Sequence, residues 1–174
     1  YQVLVKGGFY QQTMRNMLQL NNGSHGFSEI GQISGISNTD WSWSALIADY
    51  DNDGWQDLYV TNGYKRDYTN MDFLLFAADA QVKSQKSGEK IDISTILNKM
   101  PEIKIPNFIF KNNKNLTFSS ALNEWMQPAP SMSNGAAYAD LDNDGDLDLV
   151  VNNVDQKAFV YRNNTRENNQ GNYL

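Results

Sequence analysis

Two segments of the chain are nearly identical and unusually acidic, and they constrain the fold more than any other feature. Residues 49–58 read DYDNDGWQDL and residues 140–149 read DLDNDGDLDL. In each segment, aspartate occupies loop positions 1, 3, 5 and 9, and glycine occupies position 6. Carboxylates this close together repel each other unless a cation lies among them. A divalent cation that takes oxygen ligands at about 2.3–2.6 Å fits this arrangement, and calcium fits best.

The spacing predicts which atoms bind the ion. Side-chain oxygens would come from positions 1, 3, 5 and 9, and a backbone carbonyl oxygen from position 7. The glycines at position 6, Gly54 and Gly145, permit the positive φ that curls such a loop. The alternative is a pair of acidic surface turns, because Asp-Gly and Asn-Asp favour turns in any case. The predicted ligands are Asp49, Asp51, Asp53, the Trp55 carbonyl and Asp57 in the first loop, and Asp140, Asp142, Asp144, the Asp146 carbonyl and Asp148 in the second.

The residues after each loop indicate what kind of loop it is. A helix–loop–helix calcium site needs a glutamate at position 12, where this chain has Val60 and Val151. Residues 58–61 and 149–151 are mainly β-branched, aromatic or aliphatic, which favours strands. Each loop is therefore predicted to join one strand to the next.

The similarity extends beyond the loops. Residues 16–63 align with 107–154 without a gap at an offset of 91, and 17 of the 48 positions are identical. Residues 159–164 match 108–113 at an offset of 51, so the basic unit has about 51 residues and the first copy carries about 40 more. Repeats of this length are typical of stacked β-units such as propeller blades. The predicted organisation is repeat 1 over 14–63, an insert over 64–104, repeat 2 over 105–155, and the start of a third repeat over 156–174.

The insert differs in character from the repeats. Its apolar residues recur with the spacing of an amphipathic helix, which Asn70 or Asp67 could cap and Gly88 could end. A second short helix is predicted over residues 94–100. We expect the insert to dock onto the β-units, and the alternative is that it forms part of a ligand pocket or partner interface. The apolar stripe consists of Met71, Leu74, Leu75, Ala78 and Val82.

These features together resemble a known family. The two loops, with the Phe and Asn-Asn residues before them, are similar to the FG-GAP or VCBS repeats of integrin-α-type β-propellers. Residues 61–67, 69–73 and 133–140 resemble bacterial VCBS-repeat proteins that continue into an ASPIC/UnbV-type module, and the tail 168–174 resembles the lead-in to that module. The resemblance covers residues 14–174 and implies a β-propeller fold with bound calcium. It implies no particular ligand.

The number of repeats then constrains the architecture. Propellers of this type have about seven blades, whereas this sequence holds two full repeats and part of a third. Two blades cannot close a ring, and open blade edges could pair with other strands. The predicted fold is therefore mainly β, with propeller-type blades and an inserted helical segment, and the sequence favours a fragment of a larger propeller.

Composition and charge agree with an exported calcium-binding protein. The net charge is −6, but the two loops hold nine of the 20 acidic residues, and two calcium ions would bring the charge to −2. An acidic chain of this kind does not favour nucleic acid, which requires a basic face. There is no cysteine and no apolar run long enough to span a bilayer. Because millimolar calcium is found outside the cytoplasm, we expect an extracytoplasmic location.

The sequence gives no sign of catalytic machinery. His25 is the only histidine, and no phosphate-binding or dinucleotide-binding motif occurs. We predict a non-catalytic, calcium-binding module that binds an unidentified protein or glycan, with Trp41, Trp43 and Trp55 as possible contacts. The alternatives are an accessory or substrate-binding part of a polysaccharide-degrading enzyme and, less favoured, a nucleic-acid-binding protein. The oligomeric state is not predicted.

Overall fold

The computed structural model describes residues 6–8, 14–88 and 90–168, and it consists mainly of antiparallel β-sheets with a few helices. The N-terminal hairpin pairs β1 (Gln19–Asn21) with β2 (Phe27–Glu29) around a short 3-10 turn, Gly23–His25. The central sheet has the order β3 (Ser42–Ala48), β4 (Asp57–Asn62), β5 (Phe108–Asn112) and β6 (Phe118–Ser120). The C-terminal sheet has the order β7 (Ser133–Ala139), β8 (Asp148–Asn153) and β9 (Phe159–Tyr161).

The strands confirm the predicted strand–loop–strand arrangement. The first acidic loop joins β3 to β4, and the second joins β7 to β8. Both pairs of strands are antiparallel, and each has a register shift near its start, between Ser42 and Ala45 and between Ser133 and Gly135. The bounds of β3 and β4 coincide with those of β7 and β8 at the sequence offset of 91.

The boundaries of the sheets do not coincide with the boundaries of the sequence repeats. Repeat 2 contributes four strands, β5 to β8, but they lie in two different sheets. β5 pairs with β4 of the preceding repeat, and β6 pairs with β5, so both strands belong to the central sheet and not to the sheet of β7 and β8. β9, at the start of the third repeat, pairs with β8 in the same way across a short connection, so each sheet joins the last two strands of one repeat to the beginning of the next, with or without an insert between them.

Each face of the central sheet is packed against a different neighbour. On one face, Leu58, Val60 and Phe110 form a buried cluster with Ile36. The other face belongs to a larger core in which Tyr59 and Ile109 are grouped with residues of the C-terminal sheet such as Leu149 and Val151. This burial on both sides explains why every residue of β4 is buried.

The insert forms two helices, as the sequence predicts. The helix α1 (Met71–Ser87) begins after Asn70, whose side chain accepts the Phe73 N–H at 3.0 Å, and Gly88 ends it in a left-handed conformation. The helix therefore continues to Ser87 and ends at the glycine that the sequence predicts. The second helix, α2 (Ile93–Lys99), begins after Asp92, whose side chain accepts the Ser94 N–H.

The sequence predicts the wrong side of α1 as the side that packs against the β-units. The buried residue of this helix is Phe73, and the helix side that follows it at helical spacing, through Ala77 and Ala80, is half-buried. Helical periodicity predicts that an apolar side exists but does not determine which side finds a partner. The predicted stripe, Met71, Leu74, Leu75, Ala78 and Val82, is exposed.

Two short helices complete the described structure: α3 (Leu122–Trp125) after β6, and α4 (Thr165–Asn168) after β9. Within the described residues, no helix combines the length and the apolar character that crossing a membrane requires. Residues 169–174, which carry most of the tail resemblance, lie outside the described part of the chain.

Candidate metal centres

The first acidic loop is held in shape by its own carboxylates. Asp49 accepts hydrogen bonds from the backbone N–H groups of Asp53 at 3.1 Å and Gly54 at 2.8 Å. Asp53 accepts the N–H of Trp55 at 3.0 Å. Gly54 has a φ of 84°, as the predicted turn requires. The loop therefore turns back on itself, which brings alternate side chains to one side.

The second loop repeats this arrangement. Asp140 accepts the N–H groups of Asp144 at 3.1 Å and Gly145 at 3.0 Å, and Asp144 accepts the N–H of Asp146 at 2.9 Å. Gly145 has a φ of 89°. Because the same positions make the same bonds in both copies, the nonapeptide itself specifies the loop conformation.

The carboxylate at position 9 joins each loop to its sheet. Asp57 accepts the N–H of Tyr50 at 3.1 Å and, with its other oxygen, the N–H of Asn112 at 2.8 Å. Asp148 is bonded in the same way to Leu141 at 3.0 Å and Asn163 at 2.8 Å. Both aspartates are buried. Position 9 thus fixes the loop to the strand that pairs next in the sheet.

Three carboxylates converge in each loop. One oxygen from each of Asp49, Asp51 and Asp53 lies within 4.8 Å of the others, and Asp140, Asp142 and Asp148 form a second group of this kind with position 9 in place of position 5. Oxygens that share one calcium ion at about 2.3–2.6 Å lie no more than about 5 Å apart, so both groups fit such an ion. The Asp51 Oδ1 atom is buried and has no hydrogen-bond partner among the described residues, which leaves it available to a cation.

The remaining predicted ligands lie beside these groups. Asp57 and Asp144 are not members of the converging sets, since the third carboxylate comes from position 5 in the first loop and from position 9 in the second. The Trp55 side chain is 46 % exposed, whereas Asp146 is fully buried. The Asp146 carboxylate accepts Asn52 Nδ2 at 2.6 Å and the Arg166 N–H at 2.7 Å. The position-7 carbonyl oxygens stay predicted ligands.

The electrostatics of the first loop favour a bound cation. Burial raises the pKa of the Asp57 carboxyl, two backbone N–H groups lower it, and the charges of Asp51 and Asp53 raise it, with the net result that the pKa is about 6. In the second loop, the Asp146 N–H and Arg162 lower the pKa of Asp144. The repulsion at Asp57 is what a metal ion at this position would relieve.

Basic residues that the sequence analysis did not assign contact both loops. Lys114 pairs with Asp53 at 3.2 Å, and two further basic residues occupy equivalent places in the repeats. Lys111, in β5, forms ion pairs with Asp51 and, at 3.4 Å, with Asp53. Arg162, directly after β9, forms ion pairs with Asp142 at 2.5 Å and Asp144 at 3.4 Å. The signal was available: residues 108–113 and 159–164 match at an offset of 51, and both segments carry a basic residue followed by two asparagines.

The tryptophans proposed as ligand contacts occupy different environments. Trp41 packs against the rings of Tyr64 and Tyr68, with centroids 4.9 and 6.0 Å away, so it belongs to an aromatic cluster at the base of the insert. The indole N–H of Trp43 donates to the Gly63 carbonyl at 2.7 Å while the side chain is half-exposed. Trp55 is the tryptophan that stands within a carboxylate loop.

Comparison with known families supports the repeat assignment for part of the chain. Residues 8–60 match a family model described as an FG-GAP-like repeat. The matched segment contains the N-terminal hairpin, β3 and the whole first carboxylate loop. Comparison with curated proteins gives no match.

Proposed function

We propose that this chain is a calcium-binding, β-propeller-type module whose two carboxylate loops each hold one ion. The observation that carries the proposal is the repetition of one loop geometry: the two nonapeptides make the same internal hydrogen bonds and gather three carboxylates each. A chance acidic turn has no reason to recur with the same bonds at an equivalent place in a second sheet.

Calcium would supply the positive charge that these loops need. Bound among the converging oxygens, it would offset the repulsion between the aspartates and fix the strand-to-strand turn. Four aspartates and the Trp55 carbonyl would hold it in the first loop, and the matching residues in the second. Magnesium fits less well, because its smaller shell demands octahedral geometry and retains water.

The stacking of the sheets supports the proposed propeller-type architecture. Leu58 packs against the unit before the central sheet, and Leu149, its equivalent 91 residues later, lies in the core between the central and C-terminal sheets. Successive sheets therefore use equivalent faces toward the unit before them, which is how blades stack in a propeller. The FG-GAP-like match over residues 8–60 favours the same architecture.

The module would act by binding and would work outside the cytoplasm. FG-GAP repeats commonly occur in extracellular proteins and are generally non-catalytic. Millimolar calcium outside the cytoplasm would keep loops of modest affinity occupied. The partner would be a protein or a glycan, and the exposed ring of Trp55 beside the first loop offers a surface on which a sugar or peptide could stack.

Thermal unfolding tests calcium binding directly. For affinities of about 10–100 μM and calcium near 1 mM, linkage predicts about 1.4–2.7 kcal/mol of added stability per site. The melting temperature should rise by several degrees with calcium relative to chelator, and much less with magnesium. The control is the double variant Asp51→Ala/Asp142→Ala, which should show no calcium effect. Identical melting of the natural chain in calcium and in chelator would contradict the proposal.

A further inference from the structure

Lys111 and Arg162 occupy equivalent places beside the two loops. They lie 51 residues apart, each at the fourth position of the matching segments 108–113 and 159–164. Each side chain contacts positions 3 and 5 of the carboxylate loop in its own sheet. Lys111 pairs with Asp51 and Asp53, and Arg162 pairs with Asp142 and Asp144. The repetition indicates that the contact belongs to the repeat and is not a chance surface pair.

The charged groups of Lys111 and Arg162 contact carboxylates that a bound metal ion would also contact. Positions 3 and 5 are predicted ligands, so a cation bound by their oxygens and the side-chain cation of the same loop would repel each other. In the absence of metal, the same side chains offset the negative charge of the loop. The Asp51 contact raises the pKa of Lys111, so the ammonium stays charged beside the loop.

Lys111 and Arg162 each have a second partner that does not belong to a carboxylate loop. The Lys111 ammonium lies 5.6 Å from the centroid of the Trp125 ring, within the range of a cation–π contact. Arg162 also pairs with Glu167 at 2.7 Å. Each could therefore move away from its loop while it keeps a favourable neighbour.

We propose that Lys111 and Arg162 are tethered counter-cations that compete with calcium for the two loops. This inference rests on the proposed calcium-binding function. Without metal, each side chain neutralises part of its loop and keeps the loop formed. When calcium binds, the side chain leaves positions 3 and 5 and keeps its contact with Trp125 or Glu167. The tethers thus lower calcium affinity and set the concentration range over which the loops fill.

The competition should be stronger in the first loop. The Asp51 side chain is 13 % exposed and Lys111 38 %, whereas Asp142 is 36 % exposed and Arg162 52 %. Exposed ion pairs contribute little because water and salt screen them, so the more buried pair is harder for calcium to displace.

Calorimetric titration of single-loop proteins measures the effect. In the Asp142→Ala background, where the first loop alone binds, Lys111→Met should raise calcium affinity about tenfold, since a unit charge about 5 Å from a divalent ion repels it by that factor even in a water-like dielectric. Lys111→Arg, which keeps the charge, should stay close to the parent. In the Asp51→Ala background, Arg162→Met should raise affinity at the second loop by about threefold.

The control is Lys65→Met, which removes a lysine that pairs with Asp155 outside both loops and should leave calcium affinity unchanged. Unchanged or weaker calcium binding by Lys111→Met would contradict the proposed competition, because removing a competing cation should strengthen calcium binding.

Melting in chelator separates the tethers from calcium itself. Lys111→Met should melt at a lower temperature than the natural chain in chelator, while Lys111→Arg and Lys65→Met should not. If the natural chain binds no calcium but Lys111→Met still melts earlier in chelator, the proposed function fails and the neutralising role of the tether stands. If Lys111→Met melts like the natural chain in chelator, the tether is wrong whatever the loops bind.

Discussion

The two carboxylate loops share an internal structure but have different surroundings. In both, position 1 accepts the N–H groups of positions 5 and 6, and position 9 accepts those of position 2 and of an asparagine in the next segment. The first loop has half-buried aspartates at positions 1, 3 and 5, whereas positions 1 and 3 of the second are exposed. Position 7 is the exposed Trp55 in the first loop and the buried Asp146 in the second.

This difference separates what the nonapeptide specifies from what the fold adds. The shared bonds involve residues within the nonapeptide and one asparagine of the matching segments 108–113 and 159–164, although this asparagine lies 55 residues after position 9 in the first copy and 15 in the second. The environment depends on which sheet carries the loop and on what packs beside it. Asn52 Nδ2 of the first loop donates to Asp146 of the second at 2.6 Å, so the loops also touch each other across the two sheets.

The largest expected effect comes from position 9 and should be the same in both loops. Asp57→Ala or Asp148→Ala leaves two buried backbone N–H groups without their charged acceptor, which should lower the free energy of unfolding by about 3–5 kcal/mol in chelator. Urea denaturation measures it. The control, Asp79→Ala at an exposed position of α1, should change it by no more than about 0.5 kcal/mol. A lower free energy of unfolding for one of the two variants, without a similar loss for the other, would show that the two loops are not equivalent at position 9.

A smaller effect distinguishes the first loop by its response to pH. The pKa of Asp57 is raised to about 6 in the folded protein, so the carboxyl takes up a proton as the pH falls through that value. Calcium affinity of the first loop should therefore fall by about tenfold between pH 7 and pH 5. Titration of the Asp142→Ala variant at several pH values measures this loop alone, and an affinity that is flat down to pH 5 would contradict the prediction.

In chelator the same carboxyl acts in the opposite direction. Because its folded-state pKa lies above its unfolded value, its contribution to stability is fully present below about pH 4 and is lost as the pH rises through about 6. Bound calcium should reverse this trend at neutral pH, since the ion favours the ionised carboxylate.

The smallest expected effect tests the contact between the loops. Asn52 and Asn143 occupy the same loop position with φ values of 55° and 62°, so replacement by alanine strains both equally. Asn52→Ala also removes the bond to Asp146 and should lower the free energy of unfolding by about 1–2 kcal/mol more than Asn143→Ala. Urea denaturation of the two variants compares them, and equal losses would show that the contact contributes nothing.

Local structure was predictable from the sequence because its determinants are close together in the chain. The spacing of aspartates and glycine predicted both turns, and the offset of 91 predicted that β3 and β4 recur as β7 and β8. Asn70 was one of two residues predicted to cap the first helix of the insert, and its side chain forms the cap.

Long-range partners were not predictable in the same way. The segment 108–113 matches 159–164, but this match does not encode that β5 pairs with β4 across the insert. The apolar stripe through Leu74 and Leu75 predicted a helix correctly and its covered face wrongly. Lys111 reaches Asp51 from 60 residues away, and only the pairing of β4 with β5 brings the two together.

Counting the calcium ions bound by the natural chain and its loop variants tests the account most directly. Isothermal titration should give two sites for the natural chain, one for Asp51→Ala, one for Asp142→Ala and none for the double variant, with β-type circular dichroism retained in all four. Absence of calcium binding by the natural chain, or binding that persists in the folded double variant, would contradict the assignment of the two loops as calcium sites.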